Sequence, residues 1–246
     1  MTRKQQIIDQ GPRIGLNMDI LEDKKGISFF LRARYADAVL AAGGQPVLIP
    51  PIDDADPTDS LKGLHGLILT GGDDLSPSLY GLKKRHEKEV PLHPQRERFD
   101  MELVRVAVAH RIPLLAICLG LQELCVAYEG RLHPYIPEAV PGALNHQPSD
   151  INSSHHALKV EPGTRLERIL GPAPTVISSH RQAVSEPGLG LRVAARTADG
   201  IIEAVEGTGS NFLIGVQWHP EMMAEDPSQK ELFRAFVEAA KTCSAL

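Results

Sequence analysis

The 246-residue chain has little cysteine, no surplus of basic charge and no long apolar run. Its cysteines, at 118, 125 and 243, are odd in number and sit in a chain long for a stapled fold, so they form no disulfide framework. No stretch approaches the ~18 apolar residues of a membrane span. The opening MTRKQQIIDQGP has basic residues but no apolar segment behind them, so no secretory signal is read. With a net charge of −5 the chain also lacks the basic excess of a nucleic-acid binder. A reducing cytosol is the expected compartment. No repeat, low-complexity tract or linker interrupts residues 1–246, which predicts a single domain with a sizeable core.

Metal and redox spacings are missing too. The ten histidines include adjacent His155 and His156, with His133 and His146 nearby, but no His-x-x-x-His pair. Cys125 follows Cys118 by seven residues instead of the three of a redox motif, and reads as core. Glycines at 188–190 and 207–209 lie between strand-like runs, so no nucleotide loop is indicated. No metal and no cofactor are expected.

What is present is an order of strands and helices. Arg13–Asn17, 46–50 and 66–70 read as strands. Helical spacing runs from Phe29 to Ala42 and stops at Gly43-Gly44, and an amphipathic helix is predicted over 97–110. This alternation predicts an α/β fold, a three-layer sandwich with a mostly parallel central sheet and helices on both faces. Residues 131–156, rich in proline, read as a loop-rich excursion. Runs at 157–160, 175–178, 191–196, 201–206 and 212–216 predict a partly antiparallel C-terminal extension, closed by a helix from about Ser228, its N-cap, to Lys241.

Two segments carry the chemistry. In the first, the apolar run 113–117 leads into Cys118-Leu119-Gly120-Leu121-Gln122, then an amphipathic stretch from Leu121 to Tyr128. Strand, tight turn and helix place Cys118 at a corner, with small Ala116 and Gly120 on either side. The helix aims its free N–H groups at the sulfur, which favours thiolate. In the second, the run 211–216 leads into Gln217-Trp218-His219-Pro220-Glu221. Residues two apart in extended chain share a side, so Glu221 can hold one imidazole nitrogen while the other faces Cys118. A base oriented by a third group is the recurring way to activate a weak nucleophile.

With these and other stretches in place, the chain resembles the class I glutamine amidotransferase superfamily. Within it, it looks like the stand-alone γ-glutamyl hydrolases of the γ-glutamyl-γ-aminobutyrate hydrolase type (peptidase C26). The resemblance spans Arg13-Ile14-Gly15, Tyr35 to Val39, Leu69 to Gly81, Arg96 to Asp100, the Cys118 segment, Ser179 to Val184, Asp199 to Ala204 and Gly215 to Glu221. The Gly71-Gly72-Asp73-Asp74 stretch separates this branch from synthase-linked glutaminases.

The resemblance implies hydrolysis of a γ-glutamyl amide through a thioester on Cys118, with His219 as base and acid and Glu221 as its orienter. It implies oxyanion donors at the N–H groups of Gly72 and Leu119, and substrate contacts from Gly71, Gln122, Ser178, Ser179, His180 and Arg181. Relatives often read Asn-Ser-x-His-His-Gln; here Ser178 is placed at the Asn and Arg181 at the second His, where it could meet a carboxylate on the leaving amine or be structurally paired. The small-molecule partner would be a γ-glutamyl compound whose amine is γ-aminobutyrate, a polyamine or an amino acid, as in putrescine and polyamine breakdown. Loops 20–30 and 131–156 would set that choice, the latter as a wall or lid. Arg96 and Asp100, four apart on a helix, are read as an ion pair, and Asp74 and Tyr80 as shaping the pocket. A homodimer is the commonest oligomer for a soluble chain of this kind. Two other functions compete: a glutaminase subunit feeding ammonia to a synthase, and a non-catalytic protein on the same fold.

Overall fold

A computed structural model describes residues 11–148 and 155–245. The opening decapeptide and residues 149–154 of the proline-rich excursion lie outside the described residues. The chain begins with β1 (Arg13–Asn17), a hairpin of β2 (Asp19–Asp23) and β3 (Gly26–Phe30), and helix α1 (Ala33–Ala41). Next come β4 (Gln45–Ile49), α2 (Pro57–Leu61), β5 (Gly66–Leu69), α3 (Pro94–Ala109), β6 (Leu114–Ile117) and α4 (Leu119–Ala127). After β7 (Arg131–His133) and the single turn α5 (Ile136–Ala139) follow β8 (His155–Ala157), β9 (Lys159–Val160) and α6 (Arg165–Leu170). The last elements are β10 (Thr175–Ile177), β11 (Ala183–Glu186), β12 (Leu191–Arg196), β13 (Ile202–Gly207), β14 (Leu213–Val216) and α7 (Pro227–Lys241).

The main sheet runs β4-β1-β5-β6-β14-β13-β11-β7, with β12 paired to β13 and β9 to β12. Its first five strands are mutually parallel, and the pairings beyond β14 are antiparallel. Alternation along the strands feeds two cores. Leu67, Leu69, Leu114 and Ala116 pack with Phe99 and Leu103 of α3 and Leu121 and Leu124 of α4. Ile68, Leu115, Ile117 and Ile214 point the other way, against Val39 of α1 and Phe233 and Phe236 of α7. The predicted three layers and the antiparallel extension are both present. Among the described residues no helix is long and apolar enough to cross a membrane.

Local expectations needed correction in several places. Phe29 and Phe30 belong to the β2–β3 hairpin and not to a helix, which starts at Ala33. Helix α3 starts at Pro94, earlier than its apolar spacing indicated, because the His93 imidazole accepts the Gln95 N–H and Pro94 fits the first turn. Helix α4 is not amphipathic: Leu119 through Val126 are all buried between sheet and α3. The excursion contributes a strand, β7, to the sheet edge. The N-cap of α7 is Asp226, which accepts the Ser228 N–H, and not Ser228 itself.

Candidate active site

Cys118 ends β6 at the first residue after Ile117 and starts α4. Its φ of 54° and ψ of −106° lie outside the regions a non-glycine residue normally adopts. The turn is fixed from both sides. The Cys118 N–H donates to Val216 O of β14 at 2.8 Å. Gly120 lies so close to β5 that a Cβ there would sit 2.6 Å from both Leu69 O and Leu69 Cβ. The result lifts the sulfur above the strand ends, at the mouth of a cavity of about 580 Å³.

β14 pairs in parallel with β6, Val216 opposite Ile117, so the chain leaving β14 runs beside the elbow. Gln217 comes first, its amide 3.7 Å from Cys118 Sγ. His219 follows, its Nδ1 2.8 Å from Glu221 Oε1, and its ring borders the same cavity as Cys118. Burial alone would lower the His219 pKa. The charges of Cys118 and Glu221 outweigh it, so the pKa is raised well above the ordinary value. An imidazole poised to hold a proton beside the sulfur is what thiol activation requires.

The loop after β5 closes the other wall. A Cβ on Gly71 would lie 2.9 Å from His219 Cε1 and 3.5 Å from Cys118 Cβ, so only glycine fits there. The Gly71 N–H donates to Tyr35 Oη at 3.0 Å. Burial, then the charge of Glu221, raise the Tyr35 pKa well above the phenol value, so this hydroxyl stays neutral. Among the described residues no backbone carbonyl takes the N–H of Gly72 or of Leu119, and both residues adjoin the sulfur's surroundings.

The expected substrate contacts divide. Gly71, Gln122, Ser179, His180 and Arg181 line the cavity with Cys118, His219 and Glu221. Ser178 does not. Fully buried, it donates to His146 O and meets His146 Nδ1, both at 3.2 Å. Counted back from Gln182, the six-residue motif puts Ile177, and not Ser178, at the Asn place. Gln122 is held by Gln182 O and Gln217 Oε1. Arg181 is structurally paired: its Nε lies 3.3 Å from Asp74 Oδ2, and Nη1 donates to Lys88 O. Asp74 accepts the Val90 N–H as well; its burial, only partly offset by Val90 and Arg181, pushes its pKa up to about 6.

Sequence reasoning missed three contributors. Tyr35 read as an apolar helix position, yet its hydroxyl steadies Gly71. Arg96 is fully buried and reaches the loop carbonyls. The histidines, unconnected by spacing, do converge: His146, His180 and Glu203 bring ligand-type atoms within 4.8 Å of one another. These atoms already have protein partners. Glu203 Oε1 lies 3.3 Å from each ring, His146 Nε2 meets Asp199 at 2.9 Å, and His180 Nδ1 meets Gln182 O at 2.8 Å. Their separations of 23 to 57 positions in sequence left no local signal.

A family model for peptidase C26 matches residues 14–221. Gamma-glutamyl-gamma-aminobutyrate hydrolase PuuD of Escherichia coli (strain K12) is 33% identical over 247 residues, covering 95% of each chain. Rv2859c of Mycobacterium tuberculosis, named as a candidate glutamine amidotransferase, is 35% identical over 235 residues, 93% of this chain and 75% of that one. The glutaminase domain of Trypanosoma brucei CTPS, solved with bound acivicin, superposes with a TM-score of 0.64 at 16% identity over 96% of both chains, a likeness of fold. A glutamine amidotransferase fold whose elbow cysteine faces a His–Glu pair, matched along most of its length, places this chain in the peptidase C26 family.

Proposed function

We propose that this chain is a stand-alone cysteine hydrolase that cleaves the γ-glutamyl amide bond of small γ-glutamyl compounds. One observation carries the reading: Cys118, on a strained elbow, faces an imidazole that Glu221 orients at 2.8 Å. In this reading the sulfur attacks the γ-carbonyl as His219 takes the thiol proton. The negative oxygen that develops accepts the N–H groups of Gly72 and Leu119; losing one such donor costs ~10²–10³ in rate. The tetrahedral species collapses to a thioester as His219 protonates the departing amine. Water, deprotonated by the same ring, then releases glutamate and restores the thiol.

Identity to a γ-glutamyl-γ-aminobutyrate hydrolase over nearly the whole of both chains supports a hydrolase of this type. Gly71, Ser179 and His180, read as substrate contacts, line the same cavity as Cys118, which supports the reading. The cavity rim adds Arg32, Arg34, Asp19 and Asp73, charges of both signs that suit a leaving amine bearing a carboxylate, as γ-aminobutyrate does. Free thiols at all three cysteines fit a reducing cytosol.

The test is a turnover panel on the purified chain with Cys118→Ala as blank. It compares γ-glutamyl-γ-aminobutyrate, γ-glutamyl amides of uncharged and cationic amines, and free glutamine. Release of glutamate from γ-glutamyl amides, with little from glutamine and none from Cys118→Ala, is expected. Activity confined to glutamine, or absent until a synthase is added, would overturn the reading in favour of an amidotransferase subunit.

A further inference from the structure

Arg96 is fully buried on α3, beneath the loop that carries Gly71 and Gly72. Its Nη2 donates to Gly71 O at 3.0 Å and to Thr70 Oγ1 at 3.2 Å, its Nη1 pairs with Asp19 at 3.0 Å, and its Nε donates to Asp100 Oδ2 at 3.0 Å. Asn17 ties the same parts from β1: its Nδ2 donates to Asp100 Oδ2 at 2.7 Å and its Oδ1 accepts the Thr70 N–H at 2.7 Å. Thr70 has its N–H and carbonyl, and Gly71 its carbonyl, committed to Asn17 and Arg96, and the Gly71 N–H is taken by Tyr35 Oη, which leaves the N–H of Gly72 as the first one free to face the cavity.

The same buried charge reaches the second donor. Glu123 of α4, the helix packed against α3, is wholly buried, and the charge of Asp100 acts on it. Both its oxygens, and Asp100 Oδ1, have no hydrogen-bond partner among the described residues, so a proton shared between the two carboxyls would partner one oxygen of each. Burial, then Asp100, keep the Glu123 carboxyl well above the usual range, in accord with that proton. Glu123 is one helical turn after Leu119, on the same face. A Cβ on Gly72 would touch Arg96 Nη1 and Leu119 Cδ2, each at 2.7 Å, so loop, guanidinium and α4 are in mutual contact.

We propose that Arg96, Asp100 and Glu123 form one buried positioning device that fixes the spacing of the Gly72 and Leu119 N–H groups, and hence the oxyanion hole. The inference rests on the hydrolase reading for its catalytic consequence. None of the three side chains touches the reacting atoms. They act through the two donors, by fastening the β5 loop and the nucleophile helix to a common charge.

The experiment measures kcat and KM on γ-glutamyl-p-nitroanilide for Arg96→Lys, Asp100→Asn, Glu123→Ala and Glu123→Gln. Alongside it run iodoacetamide labelling of Cys118, which forms no oxyanion, and amide exchange of residues 70–73. Asp100→Asn and Glu123→Ala should lower kcat by ~10²-fold, the worth of one misplaced donor, with KM and the labelling rate little changed and exchange at 70–73 faster. Glu123→Gln, shaped like the neutral acid, should recover most of what Glu123→Ala loses. Wild-type turnover in Asp100→Asn and Glu123→Ala, or labelling that falls in step with kcat, would overturn the proposal. If Arg96→Lys does not fold, the other variants decide. Failure of the wild-type chain to cleave any γ-glutamyl compound would sink the hydrolase reading instead, and exchange at 70–73 would still report on the network.

Discussion

Gly120→Ala should damage catalysis more than stability. A Cβ at this position would stand 2.6 Å from Leu69 O and Leu69 Cβ, and 2.9 Å from Leu69 C. Ordinary contact begins at 3.4 Å, so about 0.8 Å must be found. Leu69 is the last residue of β5, bonded into the centre of the sheet, so its backbone cannot supply that distance. Helix α4 must move, carrying the Leu119 N–H and the Cys118 corner with it. Overpacking of this kind costs ~1–3 kcal/mol, which for a chain of this size lowers Tm by roughly 2–12 °C. A displacement approaching 1 Å at reacting groups costs on the order of 10²-fold in rate. The assay pairs thermal unfolding with kcat on γ-glutamyl-p-nitroanilide, with Gly209→Ala as control, since a Cβ there meets nothing within 4 Å. A Gly120→Ala enzyme with wild-type kcat would refute the claim that the β5 contact fixes the nucleophile helix.

Other outcomes follow from the same geometry. Glu221→Gln should lower kcat less than His219→Ala, because the carboxylate orients a ring that itself moves the proton; steady-state rates of the two variants check the order. Glu203, buried and pushed down to about 2 because its bonds to His146 and His180 overcome its desolvation, contributes stability that is present above the unfolded carboxylate's pKa and lost as pH falls through about 2. Acid titration of folding should thus show Glu203→Gln losing on the order of 3 kcal/mol at pH 6 relative to wild type, and almost none of that difference at pH 2. His146, also buried, is lifted by the hydrogen bonds and charges of Glu203 and Asp199. Its share is present below the ordinary imidazole pKa and fades as pH rises through the raised value, so His146→Gln should narrow its deficit in alkali, read by urea midpoints across pH 5–10.

The chemistry was legible because it is local. An apolar run, a cysteine between small residues and a second run ending in His-x-Glu each fall within a dozen residues, so period and turn chemistry suffice to place them. The parallel half of the sheet was legible for the same reason, as its central short strands β5, β6 and β14 are buried on both faces. The β2–β3 hairpin was not. Leu21, Ile27 and Phe30 are exposed, so no buried face imprinted an alternating pattern, and the two phenylalanines were drawn into the following helix. Helix α4 misled because a helix buried all round has no polar side to announce it. Ser178 was read as facing substrate, but His146, far away in sequence, holds it below the cavity, and only the structure shows that Arg181, which lines the cavity, is paired with Asp74. Long-range pairings of this kind also hid the role of Arg96, whose helical neighbour Asp100 was visible while the loop carbonyls it supports, 25 and 26 positions away, were not.

The place of β14 in the sheet bears on how the chain is made. This strand, residues 213–216, lies in the middle of the sheet, between β6 and β13, and it brings His219 and Glu221 beside the cysteine. A ribosome delivers it about a hundred residues after β6. Until then a nascent chain holds its nucleophile on a strand with an open edge, which invites pairing with other chains. On the hydrolase reading it also lacks its base, so a half-made product would cleave nothing. On that reading the sheet is completed and the thiol activated by the same event, the insertion of one late strand.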